Sequence, residues 1–167
     1  MKFVVDAMLG KVALWLRLTG HDTVYEGDIE DDNALIIAEK ENRVLLTSDE
    51  ELYNRAQNRN IDSMLVRGAV DDEVADVFYR FGINPHLDPS HARCSKCNGE
   101  LEELKGKSKH KIKEMVFEQT YNTYDVFWFC NECDSVFFQG GYWDNMTRYM
   151  MRIEKLIENY KNQESTL

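Results

Sequence analysis

Four cysteines form two identical short motifs whose spacing is typical of a metal site. Cys94 and Cys97 make one C-x-x-C pair, Cys130 and Cys133 make the other, and residues 98–129 separate the pairs. Disulfides are not expected, because the chain is large enough to fold without them. Two such pairs can surround one Zn²⁺ with four thiolates, as in a zinc ribbon, so we predict one structural zinc per chain. Reduced free thiols or an iron site are the alternatives.

Acidic side chains lie where strands end and where helices begin. Asp6 closes an apolar run, Asp49 follows another, and a further acidic stretch precedes a helical pattern. In an open parallel sheet, ligands bind beyond the carboxyl ends of the strands. Several carboxylates held there repel one another unless a divalent cation lies among them, and Mg²⁺ or Mn²⁺ suits oxygen ligands. That acidic stretch comprises Asp28, Glu30, Asp31 and Asp32.

Helix capping is the alternative role for most of these acids. Asp49 follows Thr47 and Ser48 in a good N-cap position, as Asp31 or Asp32 does before its own helix. Asp6 is harder to explain in this way, because an acid at the end of an apolar strand is costly without a partner.

A run of lysines follows the first cysteine pair. If residues 105–113 are extended, every second side chain points to the same side, and this arm could hold a phosphate backbone. A solvated loop is the alternative. Residues 1–89 contain 9 Lys+Arg and 18 Asp+Glu (net −9), and residues 90–167 contain 11 and 12 (net −1). We therefore expect the second module to bind the nucleic acid. The lysines are Lys105, Lys107, Lys109, Lys111 and Lys113.

Strands and helices alternate over residues 1 to about 85, which predicts a mainly parallel sheet covered on both faces. Apolar runs predict the strands, and apolar residues at helical spacing predict the helices between them. We expect Gly20 and Gly82 to end two of these helices. The predicted strands are 2–5, 23–25, 43–47 and 61–66, and the fourth helix spans 70–81.

The composition changes after a candidate linker. Both prolines of the chain, Pro85 and Pro89, fall within residues 84–90. We therefore predict an α/β domain over 1–85, a small β module over 90–143 in which residues 124–129 alternate across a strand, and an amphipathic helix over 144–162. The apolar face of that helix must cover another surface.

Length and charge exclude some classes of protein. The chain has 167 residues, 43% of them hydrophobic, and a formal net charge of −10. This charge argues against a protein that finds DNA through a globally basic surface. No apolar stretch approaches the roughly 20 residues of a membrane helix, and the first residues lack a cleavage site, so we expect a soluble cytoplasmic protein.

Several stretches resemble one known family. They are V5-D-A-M-L-G-K-V-A-L-W-L-R-L-T-G-H-D-T23, D32-N-A-L-I-I-A38, L46-T-S-D49, and the four cysteines followed by Tyr142-Trp143. Together they resemble the PIN-like RNase family named after the carboxy-terminal part of the Mut-seven exonuclease. The resemblance covers nearly the whole chain except the terminal helix, and the opening motif is long and specific.

This resemblance implies a PIN-like nuclease fold, a zinc ribbon and metal-dependent cleavage of RNA, with single-stranded RNA as the expected partner. It implies that Asp6, Asp32 and Asp49 are catalytic acids and bind magnesium or manganese. Leu14 and Ser48 stand where the family tends to have basic residues, which removes two expected phosphate contacts. Asp28, Asp31 and Asp72 are candidates for a fourth acid. The predicted substrate contacts are Lys11, Arg17, Thr47 and the five lysines, although Lys11 and Arg17 could equally be solvated helix charges.

Two further functions stay open at this point. The chain could be a non-catalytic RNA- or protein-binding adaptor that kept the fold and the zinc, because a fourth acid is not obvious. A phosphotransfer domain would use Asp6 as a nucleophile, but Met8 stands where a second aspartate is expected.

Overall fold

Four short strands pair in parallel in the first half of the chain. The computed structural model describes residues 1–164. The strands lie in the order β2-β1-β3-β4, and each neighbouring pair is parallel, as the sequence predicts. They are β1 (Lys2–Val5), β2 (Asp22–Val24), β3 (Val44–Thr47) and β4 (Ser63–Leu65), the last shorter than predicted. The helices between and after them are α1 (Gly10–Leu18), α2 (Asp31–Glu41), α3 (Glu50–Asn58) and α4 (Val70–Phe81).

Both faces of this sheet are covered, which explains why its strands are continuous apolar runs. Phe3 and Val5 of β1 face a core that includes α1 and α4. Val4, between them, faces the opposite core against α2 and α3. Successive side chains of a strand point to opposite faces, so both cores draw on the same short strand.

Left-handed residues end the helices where the sequence predicts an end. Gly82 follows α4 with φ +63°. Gly20 follows α1 with φ +89°, and a Cβ at this position would lie 2.8 Å from the carbonyl oxygen of His91. Glycine is therefore required at residue 20 both by its conformation and by the close approach of the chain that enters the second half.

The second half forms a small antiparallel sheet in the order β5-β6-β7. The predicted alternation of side chains across a strand is seen at Phe127, Trp128 and Phe129, and all three are buried because both faces of the strand are covered. Phe127 and Phe129 pack against Leu104 and Ile112, while the intervening Trp128 lines a cavity on the other side. The strands are β5 (Leu101–Lys105), β6 (Val126–Cys130) and β7 (Val136–Phe137), with α5 (Glu118–Thr123) before β6.

The lysine run is not extended beyond its first residue, so the condition for all five side chains to share one side is not met. Lys105 ends β5, and Gly106–Ile112 form a 3₁₀ helix. Ile112 is fully buried in the small core, and this burial favours a turn of helix over an open arm. The five side chains therefore do not lie along one side of a strand.

The last helix covers the first core. α6 spans Gly141–Glu164, three residues earlier at its start than predicted, and Met150, Ile153 and Ile157 pack into the core with α1 and α4. The ring of Trp15 stacks on Tyr149 at 4.5 Å between centroids. Within residues 1–164, no helix is both long and apolar enough to cross a bilayer. The domain limits 1–85, 90–143 and 144–162 stay a prediction.

Candidate active site and metal centre

Asp6 and Asp49 lie at the carboxyl ends of neighbouring strands and are joined through Thr47. The amide of Asp6 donates to the carbonyl of Leu46 at 2.9 Å, which fixes the end of β1 beside β3. The hydroxyl of Thr47 donates to Asp6 Oδ2 at 2.9 Å and accepts the amide of Asp49 at 2.9 Å. This arrangement holds the two acids at one edge of the sheet.

Asp49 is also a helix cap, as the alternative interpretation predicts. Its Oδ1 accepts the amide of Leu52 at 2.9 Å at the start of α3. The cap uses one carboxylate oxygen, and Oδ2 keeps its lone pairs for a ligand. Asp6 is only 8% exposed, and Thr47 donates a hydrogen bond to its carboxylate. Because the cap uses only Oδ1 of Asp49, this residue can cap α3 and bind a ligand at the same time.

Asp32 lies apart from this pair. It stands in the first turn of α2 with 72% of its side chain exposed, and Arg55 of α3 pairs with both Asp32 and Asp31. Among residues 1–164, the cysteines alone form a group of three or more metal-ligating side chains within 4.8 Å of one another. The three aspartates are thus not gathered at ligand distance. The contact between Arg55 and these acids was not predicted from the sequence. The one sequence feature that could have indicated it is that Arg55 lies on α3, the helix that Asp49 caps.

Two residues predicted to contact substrate are buried, which contradicts that role. Thr47 is fully buried between the acids. Arg17 is 5% exposed, and its guanidinium donates to the carbonyls of Thr23 at 3.0 Å and Tyr25 at 3.3 Å. It also donates to the carbonyls of Ser95 and Lys96, each at 3.2 Å. Arg17 therefore connects β2 to the turn that carries the first cysteine pair.

The five lysines have different surroundings. Lys105 pairs with Glu103 at 2.6 Å, and Lys111 pairs with Glu102 at 2.7 Å. Lys109 lies over the ring of Tyr121, 4.4 Å from its centroid. The other two lysines of the run, Lys107 and Lys113, are exposed and make no ion pair or cation–π contact within residues 1–164, so they are available to an anion. The same holds for Lys11 on α1.

The four cysteine thiols converge on one point. Sγ of Cys94 lies 3.5 Å from Sγ of Cys133, and Sγ of Cys97 lies 3.4 Å from Sγ of Cys130. All four sulfurs lie within 4.8 Å of one another. Zinc–sulfur bonds of about 2.3 Å give a tetrahedron with edges of about 3.8 Å, so the cluster matches the size of a tetrathiolate zinc site. The four cysteines can hold a zinc ion.

Local chemistry differs between these thiols. Burial raises the pKa of the Cys94 thiol, and burial also raises that of Cys97, to about 12. A hydrogen bond shared with Ser135 lowers the pKa of Cys133 to about 7. Metal binding requires thiolates, so a zinc ion must displace protons from the buried thiols at neutral pH.

Asn98 attaches the first cysteine turn to the parallel sheet. It has φ +71°, a left-handed turn conformation that asparagine tolerates better than most residues. Its side-chain oxygen accepts the amide of Thr23 at 2.8 Å, and its side-chain nitrogen donates to Asp22 at 2.8 Å. Asp22 also pairs with the buried Arg43 at 2.8 Å. Burial opposes ionisation of Asp22, but the hydrogen bonds from Arg43 and Asn98 lower its pKa.

Together, these features define a parallel α/β domain with acids at the carboxyl edge of its sheet, joined to an antiparallel module with a four-cysteine cluster consistent with a zinc ribbon. The model of the Mut7-C RNAse domain family matches residues 1–150, and the chain belongs to this family. No curated protein and no solved structure matches the chain. The family indicates a nuclease with RNA as its substrate.

Proposed function

We propose that this protein is a divalent-metal-dependent ribonuclease that hydrolyses RNA phosphodiester bonds at Asp6, Asp49 and Asp32. The observation that carries the proposal is the Asp6–Thr47–Asp49 arrangement at the carboxyl edge of the sheet in a chain of an RNAse family. Carboxylate oxygens at this edge are the ligands that Mg²⁺ and Mn²⁺ prefer. When bound, such an ion activates water and neutralises charge on the phosphate.

The side chains of this site have separate tasks. Asp6 and Asp49 supply carboxylate oxygens, while Thr47 sets the spacing between them and contacts no substrate itself. Leu52 holds the carboxylate of Asp49 through its amide. Asp32 pairs with Arg55 through Oδ1, so its Oδ2 could bind an ion, but the side chain would have to move closer to the other two acids. Mg²⁺ retains several waters and needs only one or two direct carboxylates, so an open arrangement suits it.

The second module has a structural role and a binding role. One zinc held by the four cysteines would fix both turns of the module and, through Arg17 and Asn98, its attachment to β2. We propose that the module binds single-stranded RNA through exposed lysines. Among these, Lys107 and Lys113 form no ion pair within residues 1–164.

The test compares cleavage of labelled single-stranded RNA by the parent protein and by Asp6→Asn and Asp49→Asn variants, with Mg²⁺ or Mn²⁺. We expect turnover by the parent alone. Asn caps a helix about as well as Asp, so Asp49→Asn should fold normally and lose activity through the loss of a ligand charge. Asp62→Asn is the matched control, because Asp62 is exposed at the amino end of β4, at the opposite edge of the sheet. Cleavage that survives Asp6→Asn, or that needs no divalent ion, would contradict the proposal.

A non-catalytic adaptor is the second candidate, and the separation of Asp32 from the other two acids favours it. An adaptor would bind the same RNA without turnover in any divalent ion. Its binding would be unchanged by Asp49→Asn, whereas a metal-dependent nuclease would show metal-dependent binding that this substitution removes.

A further inference from the structure

A cavity of about 660 Å³ lies between α1, the small antiparallel sheet and the first turns of α6. One wall is a single stripe of α1 formed by Lys11, Leu14, Trp15 and Leu18. At 1.5 Å per residue this stripe is about 10 Å long. The volume lies within the range of small-molecule sites, which is roughly 300 to 1,000 Å³.

Six aromatic residues line the facing walls of the cavity. Trp128 of β6 lines the cavity and is only 6% exposed, and Phe138 follows β7 at its rim. Trp143 and Tyr142 contribute from the start of α6. The Tyr142 residue is 75% exposed, and its ring stacks on no other ring within residues 1–164. Such a wall offers π-faces to a flat ring, which an aliphatic wall would not.

One end of the cavity lies beside the acids. The chain passes from Asp6 through the 3₁₀ helix Ala7–Leu9 directly into α1, so the amino end of α1 stands at the carboxyl edge of the sheet. Lys11 is in the first turn of α1 and is exposed, with no ion pair within residues 1–164. Lys11 thus stands between an acidic edge and an aromatic cavity, in a half of the chain whose net charge is strongly negative. Arg93 also lines the cavity, but its guanidinium pairs with Glu100 and donates to the carbonyl of Asn98.

We propose that this cavity binds unpaired nucleobases of single-stranded RNA next to the phosphodiester that is cleaved. Tyr142 stacks on a base, and Lys11 contacts the phosphate between that base and the acids. The combination of aromatic faces with one adjacent cation complements a nucleotide, which has a flat ring and an anionic phosphate. Paired bases of a duplex cannot enter such a cavity. The inference rests on the proposed function for the position of the scissile bond.

Binding measurements test it without catalysis. Fluorescence anisotropy of labelled oligouridine, without added divalent ions, should show about tenfold weaker binding by Tyr142→Ala, the loss expected for one stacked base. Tyr142→Phe should bind like the parent. Phe117→Ala is the matched control and should bind unchanged, because Phe117 is 86% exposed in the second module and does not line the cavity.

The two contacts have different signatures. An oligomer of the same length without bases should bind the parent about tenfold more weakly, and Tyr142→Ala should weaken it no further. Lys11→Gln should flatten the plot of log affinity against log salt by about 0.7, whereas Tyr142→Ala should leave this slope unchanged.

Equal binding of oligouridine by the parent and Tyr142→Ala overturns the inference. So does a dimer in sedimentation that Tyr142→Ala dissociates while RNA binding stays unchanged, because the cavity would then be a contact between two copies. Cleavage of the same oligomer with Mg²⁺ is measured separately. If the parent cleaves RNA but Tyr142→Ala does not weaken RNA binding, this inference alone is refuted. If Tyr142→Ala weakens RNA binding but the parent does not cleave, the proposed nuclease activity alone is refuted.

Discussion

The cysteine cluster and the acidic edge are both candidate metal sites, but they are prepared for a metal to different degrees. All four sulfurs lie within 4.8 Å of one another. At the acidic edge, Asp6 and Asp49 share Thr47, whereas Asp32 pairs with Arg55. The four ligands of the first site lie close enough together for one ion, and the three acids of the second do not.

The difference follows from how each set of ligands is carried. Each C-x-x-C pair lies on one tight turn, and the pairing of β5 with β6 brings the two turns together. The acids come from β1, α2 and the end of β3, so their spacing depends on three separate elements. A closed site suits a permanent structural ion, and an open site suits an ion that must also admit substrate and water.

Zinc removal should give the largest effect. Apparent zinc-binding free energies of such sites reach about 10 kcal/mol, so a strong chelator should unfold the second module. Native protein should contain about one zinc per chain by elemental analysis, and near-ultraviolet circular dichroism should report the loss of packing around Trp128. Four titratable thiols in a folded, zinc-free protein would show that the cluster needs no metal.

Arg17→Gln should come next, because it breaks the connection between the two halves. Several carbonyls would lose a buried cationic donor, at a cost of roughly 3 kcal/mol in the free energy of unfolding. Urea unfolding measures this cost, and a chromophoric zinc chelator measures the faster release of zinc that we also expect. Arg59→Gln, at an exposed position, is the control. Equal zinc release by both variants would mean that the two regions are independent.

Thr47→Val should have a smaller effect on stability, about 1 to 2 kcal/mol, because it removes two hydrogen bonds and keeps the shape. If Thr47 positions the acids and does not touch RNA, kcat should fall while KM stays unchanged. Thr47→Ser should restore kcat, because it restores the hydroxyl. If Thr47→Val raises KM and leaves kcat unchanged, Thr47 contacts the substrate, and its proposed positioning role is wrong.

The lysines should give the smallest effect. Lys107→Gln and Lys113→Gln should each flatten the salt dependence of RNA binding by about 0.7 if each contacts one phosphate. Lys111→Gln should change it less, because Lys111 already pairs with Glu102. Binding should weaken similarly for all RNA sequences, since phosphate contacts carry no base information. Identical slopes for all three variants and the parent would assign no RNA contact to this segment.

Local patterns in the sequence were sufficient for much of the fold. Apolar periodicity predicted the parallel sheet, Gly82 ended α4, and Asp49 capped α3, because each of these features depends on residues within a few positions. The cysteine spacing predicted a metal cluster because each C-x-x-C pair lies on one tight turn, although the pairing of β5 with β6 brings the two turns together. The match to the Mut7-C RNAse domain family confirmed the resemblance seen in the opening motif.

Tertiary structure alone decided what several side chains contact. Arg17 has the sequence context of a solvated helix charge, yet β2 and the first cysteine turn enclose it. Asp32, expected just before its helix, lies in the first turn of that helix, and its partner Arg55 comes from a different helix. The lysine alternation would place five side chains on one side only in an extended segment, but Gly106–Ile112 form a 3₁₀ helix whose Ile112 is buried. Spacing along the chain fixes the geometry of one element, whereas the partner of a side chain depends on which distant element packs beside it.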